Sequence, residues 1–421
     1  MEYLHLFNTK IEHDSLRNSN KYKEPWIAYV RDDELITYNK SHDYSLDYLT
    51  FEALEDTVFS INFKKAVTNR YITSSMRESF SYSIDNGNTW VTFETPNDTF
   101  EGVAITTPTI KRGQKVLWKG IGLQNYTALG DSAYCYFTST GEFNVFGNIM
   151  SLAYGDNFVG REDLENTTDI FSYFFKDCQH LISAKNMILP ATTLSNSCYR
   201  GMFYGCTALT MVPELPATIL AHGCYDSMFQ SCRSLTTTPL LPATTLAQTC
   251  YRYMFSGCRS LTTAPVLHAT TLADNCYEYM FYYCTSLTTA PELPATTLIS
   301  GCYSNMFSNC TSLTTAPVLP ATTLAQTCYL SMFQGCTSLT TAPVLPATTL
   351  AQNCYNLMFK GCKILNYIKA MFTTTPSGTN TYNWVSGVAS SGTFVKNSAA
   401  TWNLTGANGI PSGWTIQKVS A

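Results

Sequence analysis

Charge is the scarcest ingredient of this chain. Only 13% of its 421 residues are Asp, Glu, Lys or Arg, the formal net charge is -4, and between Glu292 and Lys360 there is no charged residue at all. That balance predicts no nucleic-acid partner, since no basic patch is present to neutralise phosphates. Long apolar runs are missing too, which excludes a membrane-spanning helix and membrane insertion by that route. The start, M-E-Y-L-H-L-F-N-T-K, has neither a basic nor an apolar leader region, so no secretion signal is expected there. Histidine is rare, and His5, His13, His42, His180, His222 and His268 lie in different segments. Nothing pairs a nucleophile with a base, so no catalytic residue is expected. No cofactor and no metal site are expected either. With 45% hydrophobic residues the composition is that of a globular protein, long enough for about two to four domains. A surface of Thr, Ser, Ala, Asn and Gln suits neutral, hydroxyl-rich partners or protein packing.

What is abundant is repetition. Cysteines at 198, 224, 250, 276, 302, 328 and 354 are each followed eight residues later by another, from Cys206 to Cys362, with an unbroken period of 26. The unit reads T-T-L-A-x-x-C-Y-x-x-M-F-x-x-C-x-S-L-T-T-A-P-x-L-P-A. A fixed period in this range is the signature of stacked units. The predicted fold class is a β-rich α/β solenoid, leucine-rich-repeat-like, preceded by a small β-sandwich domain.

Counting the first Cys of each unit as position 0, the apolar positions are 0, 1, 4, 5 and 8. At about 100° per residue they fall within roughly 140° of one helical face. The spacing therefore predicts a helix whose buried stripe is Cys250, Tyr251, Met254, Phe255 and Cys258. Positions 2, 3, 6 and 7 vary between units and are expected to face solvent. The following Thr-rich run predicts a short extended segment with Leu261 and Leu267 inward. Glu214, Leu240, Val266, Glu292, Val318 and Val344 occupy an outward column. Pro265 and its equivalents lack an N–H, so the strand ladder should be imperfect. Two Cys eight residues apart on a helix cannot bridge, whereas stacked Cys of successive units could form a ladder of disulfides; the preferred reading is buried thiols packing beside Met and Phe.

Four segments follow: an N-terminal anchoring arm at 1–45, a β-sandwich domain at 46–160, the repeat solenoid at 161–365 and a C-terminal cap at 366–421. The β-domain contains Ser83-Ile84-Asp85-Asn86-Gly87-Asn88-Thr89-Trp90, an Asp-box pattern in which Asp85 and Gly87 shape a hairpin turn above Trp90. Residues 164–178 form a degenerate opening unit, with Ile170 where the first Cys would stand. Trp384, Trp402 and Trp414 are expected to cover the far apolar end.

The unit M-F-x-G-C-x-S-L-T with its flanking L-P-A-T-T-L-A resembles the BspA-like leucine-rich repeats of surface proteins from gut Bacteroidales and of virion proteins from phages infecting them. The resemblance implies adhesion without catalysis. Two settings remain open: a phage fibre on the virion surface, anchored to other virion proteins through its N-terminal arm, or a secreted bacterial surface adhesin. A glycan-active enzyme is a more distant alternative. The expected partner is a host cell-surface glycan or protein. The candidate binding residues are Arg252, Tyr253, Glu278, Tyr279, Tyr282 and Tyr283, because aromatic faces stack on sugar rings; in a chain with 27 tyrosines they could equally be scattered surface residues. Val318 and Val344 offer an apolar strip suited to packing against another copy, as in a homo-oligomer, or against a neighbouring domain.

Overall fold

A computed structural model describes residues 26–31, 34–39, 43–64, 79–94, 101–121, 123, 134–164 and 167–420. The chain divides into two compact units, Met1–Tyr44 and Ser45–Ala421. In the first, β1 (Trp26–Arg31) and β2 (Glu34–Asn39) form an antiparallel pair. Most of the expected anchoring arm lies outside the described residues.

The second unit opens with alternating apolar strands: β3 (Leu49–Ala53), β4 (Phe59–Lys64), β5 (Ser79–Ser83), β6 (Val91–Glu94), β7 (Glu101–Thr106), β8 (Lys115–Ile121), β9 (Tyr134–Ser139), β10 (Phe143–Asn148) and β11 (Leu181–Ile188). They make a six-stranded sheet in the order β11-β10-β3-β8-β5-β6 and a three-stranded sheet β7-β4-β9. Period-two alternation turns one face of each strand inward. The inward residues meet as an aromatic core: Phe51 of β3 packs edge-on against Phe137 of β9 at 4.8 Å, and Trp118 of β8 meets the same ring at 4.8 Å. The strands pair antiparallel except β10 with β11, which run parallel. Strand β11 already belongs to the opening repeat, and Phe137 touches Phe174 and Phe175 of that repeat at 5.4 and 5.9 Å. One apolar core therefore runs from the sheets into the repeats.

The repeats are β-rich and, among the described residues, contain no α-helix, which corrects the α/β expectation. Positions 0, 1, 4, 5 and 8 are buried as expected, but the backbone that buries them is a succession of stacked turns. In the third full unit, the N–H groups of Arg252, Met254, Ser256 and Cys258 donate to carbonyls three residues back, at 3.0–3.2 Å. The N–H groups between them leave the unit. Tyr251 donates to Cys276 O, Tyr253 to Glu278 O, Phe255 to Met280 O and Gly257 to Tyr282 O, at 2.7–3.0 Å. An α-helix would instead send each N–H four residues back along its own chain. Every fourth residue is left-handed, with φ of 53° at Thr249, 54° at Tyr253 and 75° at Gly257. All seven full units keep this pattern.

The physical reason for the misreading is a near-degeneracy. Apolar residues at 0, 1, 4, 5 and 8 have a period of four, and over nine residues this is inseparable from a helical 3.6. The discriminating signal lay in the polar positions. Gly201, Gly223, Asn275, Asn305 and Gly335 recur at positions -1, 3 and 7, where a left-handed backbone is cheapest for Gly and Asn. A second expectation also fails: position 2 does not simply face solvent. Asp226 and Ser304 are buried there, and Arg200, Arg252 and Glu278 are half-buried.

Stacking aligns like with like. Tyrosines at position 1 stack from Tyr199 to Tyr355 with centroids 5.8–6.1 Å apart, and phenylalanines at position 5 do the same from Phe175 to Phe359. All sixteen cysteines are free and buried. The second Cys of each unit donates its S–H to the position-5 carbonyl of the preceding unit, for example Cys258 to Phe229 O at 3.1 Å and Cys284 to Phe255 O at 3.1 Å. That carbonyl already accepts the N–H of its own unit's Cys. Cysteine suits the position because it is small, apolar and a weak donor. Burial pushes these thiols up, Cys258 well above the ordinary range.

Beyond position 8 the chain runs extended. Leu261 and Leu267 are buried, while Leu240, Val266, Val318 and Val344 are exposed, Val318 most of all at 79%. Units pair here through isolated parallel bridges such as Thr263↔Thr289 and Thr289↔Thr315. Where the unit lacks its inner proline the bridges lengthen into true strands: β11 at one end and β12 (Tyr367–Ala370) at the other, as expected if proline interrupts the ladder. Strand β12 pairs in parallel with β13 (Thr393–Asn397), and β13 with β14 (Thr415–Val419). The stacked turns continue past 365, since Tyr355 and Phe359 donate to Asn380 O and Trp384 O. Trp384, Trp402 and Trp414 are buried at this end, each indole N–H donating to a backbone carbonyl, of Gly409, Phe372 and Ala389.

Candidate recognition surface

The repeat register decides which variable side chains meet. Tyr253 and Tyr279 both occupy position 3, and the bonds Tyr253 N–H to Glu278 O and Tyr279 N–H to Ser304 O, each 2.9 Å, hold their backbones in line. Their rings stack at 4.6 Å and 6°. Tyr282 stands edge-on to Tyr279 at 5.2 Å, and Tyr283 edge-on to Tyr282 at 4.5 Å. Four tyrosines chosen from sequence thus form one continuous aromatic cluster, half-buried except for Tyr283, which is 40% exposed. The position-3 neighbours on either side, Ser227 and Asn305, carry no ring, and the Arg252 guanidinium lies over the Tyr253 ring, 5.9 Å from its centroid.

Three of these rings sit on a left-handed backbone: φ is 54° at Tyr253, 56° at Tyr279 and 59° at Tyr283. Other full units place Gly201, Ser227, Asn305, Ser331 and Leu357 at position 3, and the opening unit places Tyr173 there at φ 60°. A bulky L-residue in this region costs about 1–2 kcal/mol. Burial, then the charges of Tyr279 and Glu278, push the Tyr253 phenol up to about 12. Tyr279 and Tyr282 are also raised, again first by burial.

A line of charge runs beside the rings at position 2. Asp226, only 3% exposed, accepts two hydrogen bonds from Arg252, from Nε at 3.2 Å and Nη2 at 2.7 Å. Arg200 approaches the same oxygen at 3.7 Å from the other side. Glu278 is next in the column. Burial raises its carboxyl, opposed by Arg252 and reinforced by Asp226. Sequence reasoning named Arg252 and Glu278 but missed Asp226, the acid that organises them. The available signal was the alternation Arg200, Asp226, Arg252, Glu278 at one position of successive units.

The Asp-box turn is a joint in the fold. Ser83 O–H and the N–H and O–H of Thr89 donate to the Asp85 carboxylate, at 2.7, 2.9 and 2.6 Å. The Thr89 hydroxyl foremost, then its N–H and Ser83, hold Asp85 down to about 2. Trp90 lies against Tyr48 at 5.1 Å and beneath the Lys119 ammonium at 4.2 Å, which binds Asp156 at 2.8 Å. These charges are spent on one another. Among the described residues no cluster of His, Cys, Asp and Glu could hold a metal ion, and no helix is long and apolar enough to cross a membrane.

No curated protein and no solved structure matches the chain. The model of the BspA type leucine-rich repeat region matches in 6 copies, over residues 162–288 and 248–386. Those residues span more than half the chain and coincide with the stacked turns. Repeats of this type form a generally non-enzymatic family and are consistent with adhesion and recognition at a surface. By its repeats the chain belongs to the BspA-type leucine-rich repeat family.

Proposed function

We propose that this protein is a non-enzymatic adhesion and recognition protein, whose repeats form a solenoid displaying the tyrosine cluster to a hydroxyl-rich ligand, a host cell-surface glycan. Tyr253, Tyr279, Tyr282 and Tyr283 are the stacking residues, flanked by Arg252 and Glu278. The observation that carries this reading is the backbone. Three adjacent aromatic rings are held at left-handed positions where neighbouring units use Gly, Ser or Asn, and strain of this kind gathers at ligand-binding sites. The stretch that follows the cluster, with no charged residue between Glu292 and Lys360, supports the same reading, because hydroxyl-rich ligands need hydrogen bonds and ring faces rather than ion pairs.

The test is a glycan-array screen of the full chain against the double substitution Tyr279→Asn, Tyr283→Asn. Asparagine already serves these columns at Asn305 and Asn309, with φ of 55° and 62°. The substitution should therefore leave the melting temperature unchanged or raise it, while retained glycans bind at least about tenfold more weakly. Unchanged binding, or a collapse of stability, would remove the rings from the site.

The finer placement is a phage fibre on the virion surface, with residues 1–45 attaching to other virion proteins. It rests on the resemblance of the repeat to those of phage virion proteins. Mass spectrometry of purified particles and of washed host envelopes tests it: stoichiometric enrichment in particles is expected, and enrichment in uninfected envelopes would make this a bacterial adhesin.

A further inference from the structure

We infer that Glu278 sets the ligand class of the tyrosine face, selecting sugars that carry a free amine over sugars that carry a carboxylate. The inference rests on the reading of that face as glycan-binding and deepens it. Along position 2 the charges alternate: Arg200, Asp226, Arg252, Glu278. Asp226 is bracketed by two cations, with Arg252 held through both Nε and Nη2 at 3.2 and 2.7 Å and Arg200 at 3.7 Å. Glu278 is not so bracketed. Among the described residues its carboxylate accepts no hydrogen bond, and the next residue in the column is the buried, uncharged Ser304. The alternation stops one cation short, at a half-buried acid beside the tyrosine cluster, where Arg252 already lies 5.9 Å over the Tyr253 ring.

That vacancy in the charge pattern has a chemical preference. The electron-rich tyrosine faces attract a cation, as Arg252 over Tyr253 already shows; Glu278 directly precedes Tyr279 and its carbonyl accepts the Tyr253 N–H at 2.9 Å, so its charge raises both phenols. A sugar ammonium would meet a carboxylate on one side and aromatic faces on another. A sugar carboxylate would meet Glu278 as a like charge. Its nearby counter-charge, Arg252, is already committed through Nε and Nη2 to the almost wholly buried Asp226, and turning it outward would break that buried pair.

Calorimetric titration of the full chain with three oligosaccharides of matched length tests this: oligoglucosamine, oligo-N-acetylglucosamine and oligoglucuronate. The wild type should bind them in that order of decreasing affinity. Glu278→Gln should weaken oligoglucosamine about three- to tenfold and leave the N-acetylated chain unchanged. Glu292→Gln, an exposed acid in the outward strand column, controls for diffuse attraction of a polycation and should change nothing. Equal affinity for the amine and its acetylated form, or equal losses in the two glutamine variants, overturns the inference while Tyr-dependent binding still stands. If none of the three binds and the tyrosine substitutions alter no glycan contact, the glycan reading falls with it. Thermal melting of each variant confirms that the fold is intact.

Discussion

Replacing Phe281 by Ala should lower stability by about 3–5 kcal/mol. Phe281 is fully buried and stacks between Phe255 and Phe307, each 5.7 Å away. A cavity at this point has little means of collapse. The backbones on either side are tied to one another by Phe255 N–H to Met280 O and Phe281 N–H to Met306 O. Cys310 also donates its S–H to the Phe281 carbonyl at 3.0 Å. In a repeat array each unit touches only its neighbours, so a weak unit near the middle uncouples the two halves as well as losing its own packing. Urea denaturation of wild type and variant measures the difference. A broadened or two-step transition in the variant would report the uncoupling, and a loss under about 1 kcal/mol would place this ring outside the core column.

Gly147→Ala should cost about 3 kcal/mol or more, through backbone rather than side chain. Gly147 lies in β10 at φ 84°, and a Cβ there would stand 2.1 Å from the Tyr48 carbonyl oxygen and 2.9 Å from its carbon. The left-handed conformation alone costs about 1–2 kcal/mol for an L-residue; the clash is added to it. Strand β10 cannot move aside, since it pairs with β3 on one edge and with β11 on the other. Because β11 belongs to the repeats, the damage reaches the junction between sheets and array. Gly113→Ala is the natural control: φ is 81°, but nothing lies within 4 Å of the added carbon. Equal effects of the two substitutions in denaturation would mean that the Tyr48 backbone yields freely and that the junction is soft.

Much of this molecule was legible before its structure. The inward columns of Cys, Tyr, Met, Phe and Leu, the outward column of Leu240, Val266, Val318 and Val344, and the interruption of the strand ladder at proline all follow from position within the unit. The candidate site was partly legible. Tyr253 and Tyr279 share a position in adjacent units and therefore stack, and Tyr282 and Tyr283 follow in the same coil. Asp226 was not recognised, because a surface helix would have turned it to solvent. Stacked turns instead draw position 2 between units, where an acid survives only with the cations of the units before and after it.

The sequence by itself determined which residues are buried and the period at which they return. Burial follows apolarity, and a strict 26-residue register repeats every such choice identically. Only the tertiary structure decided the backbone path. In the stacked turns half of the N–H groups find their acceptor in the next unit, as Tyr251 does at Cys276, and a bond across that separation leaves no mark on local spacing. The turn becomes favourable only once a neighbouring unit is there to accept those bonds.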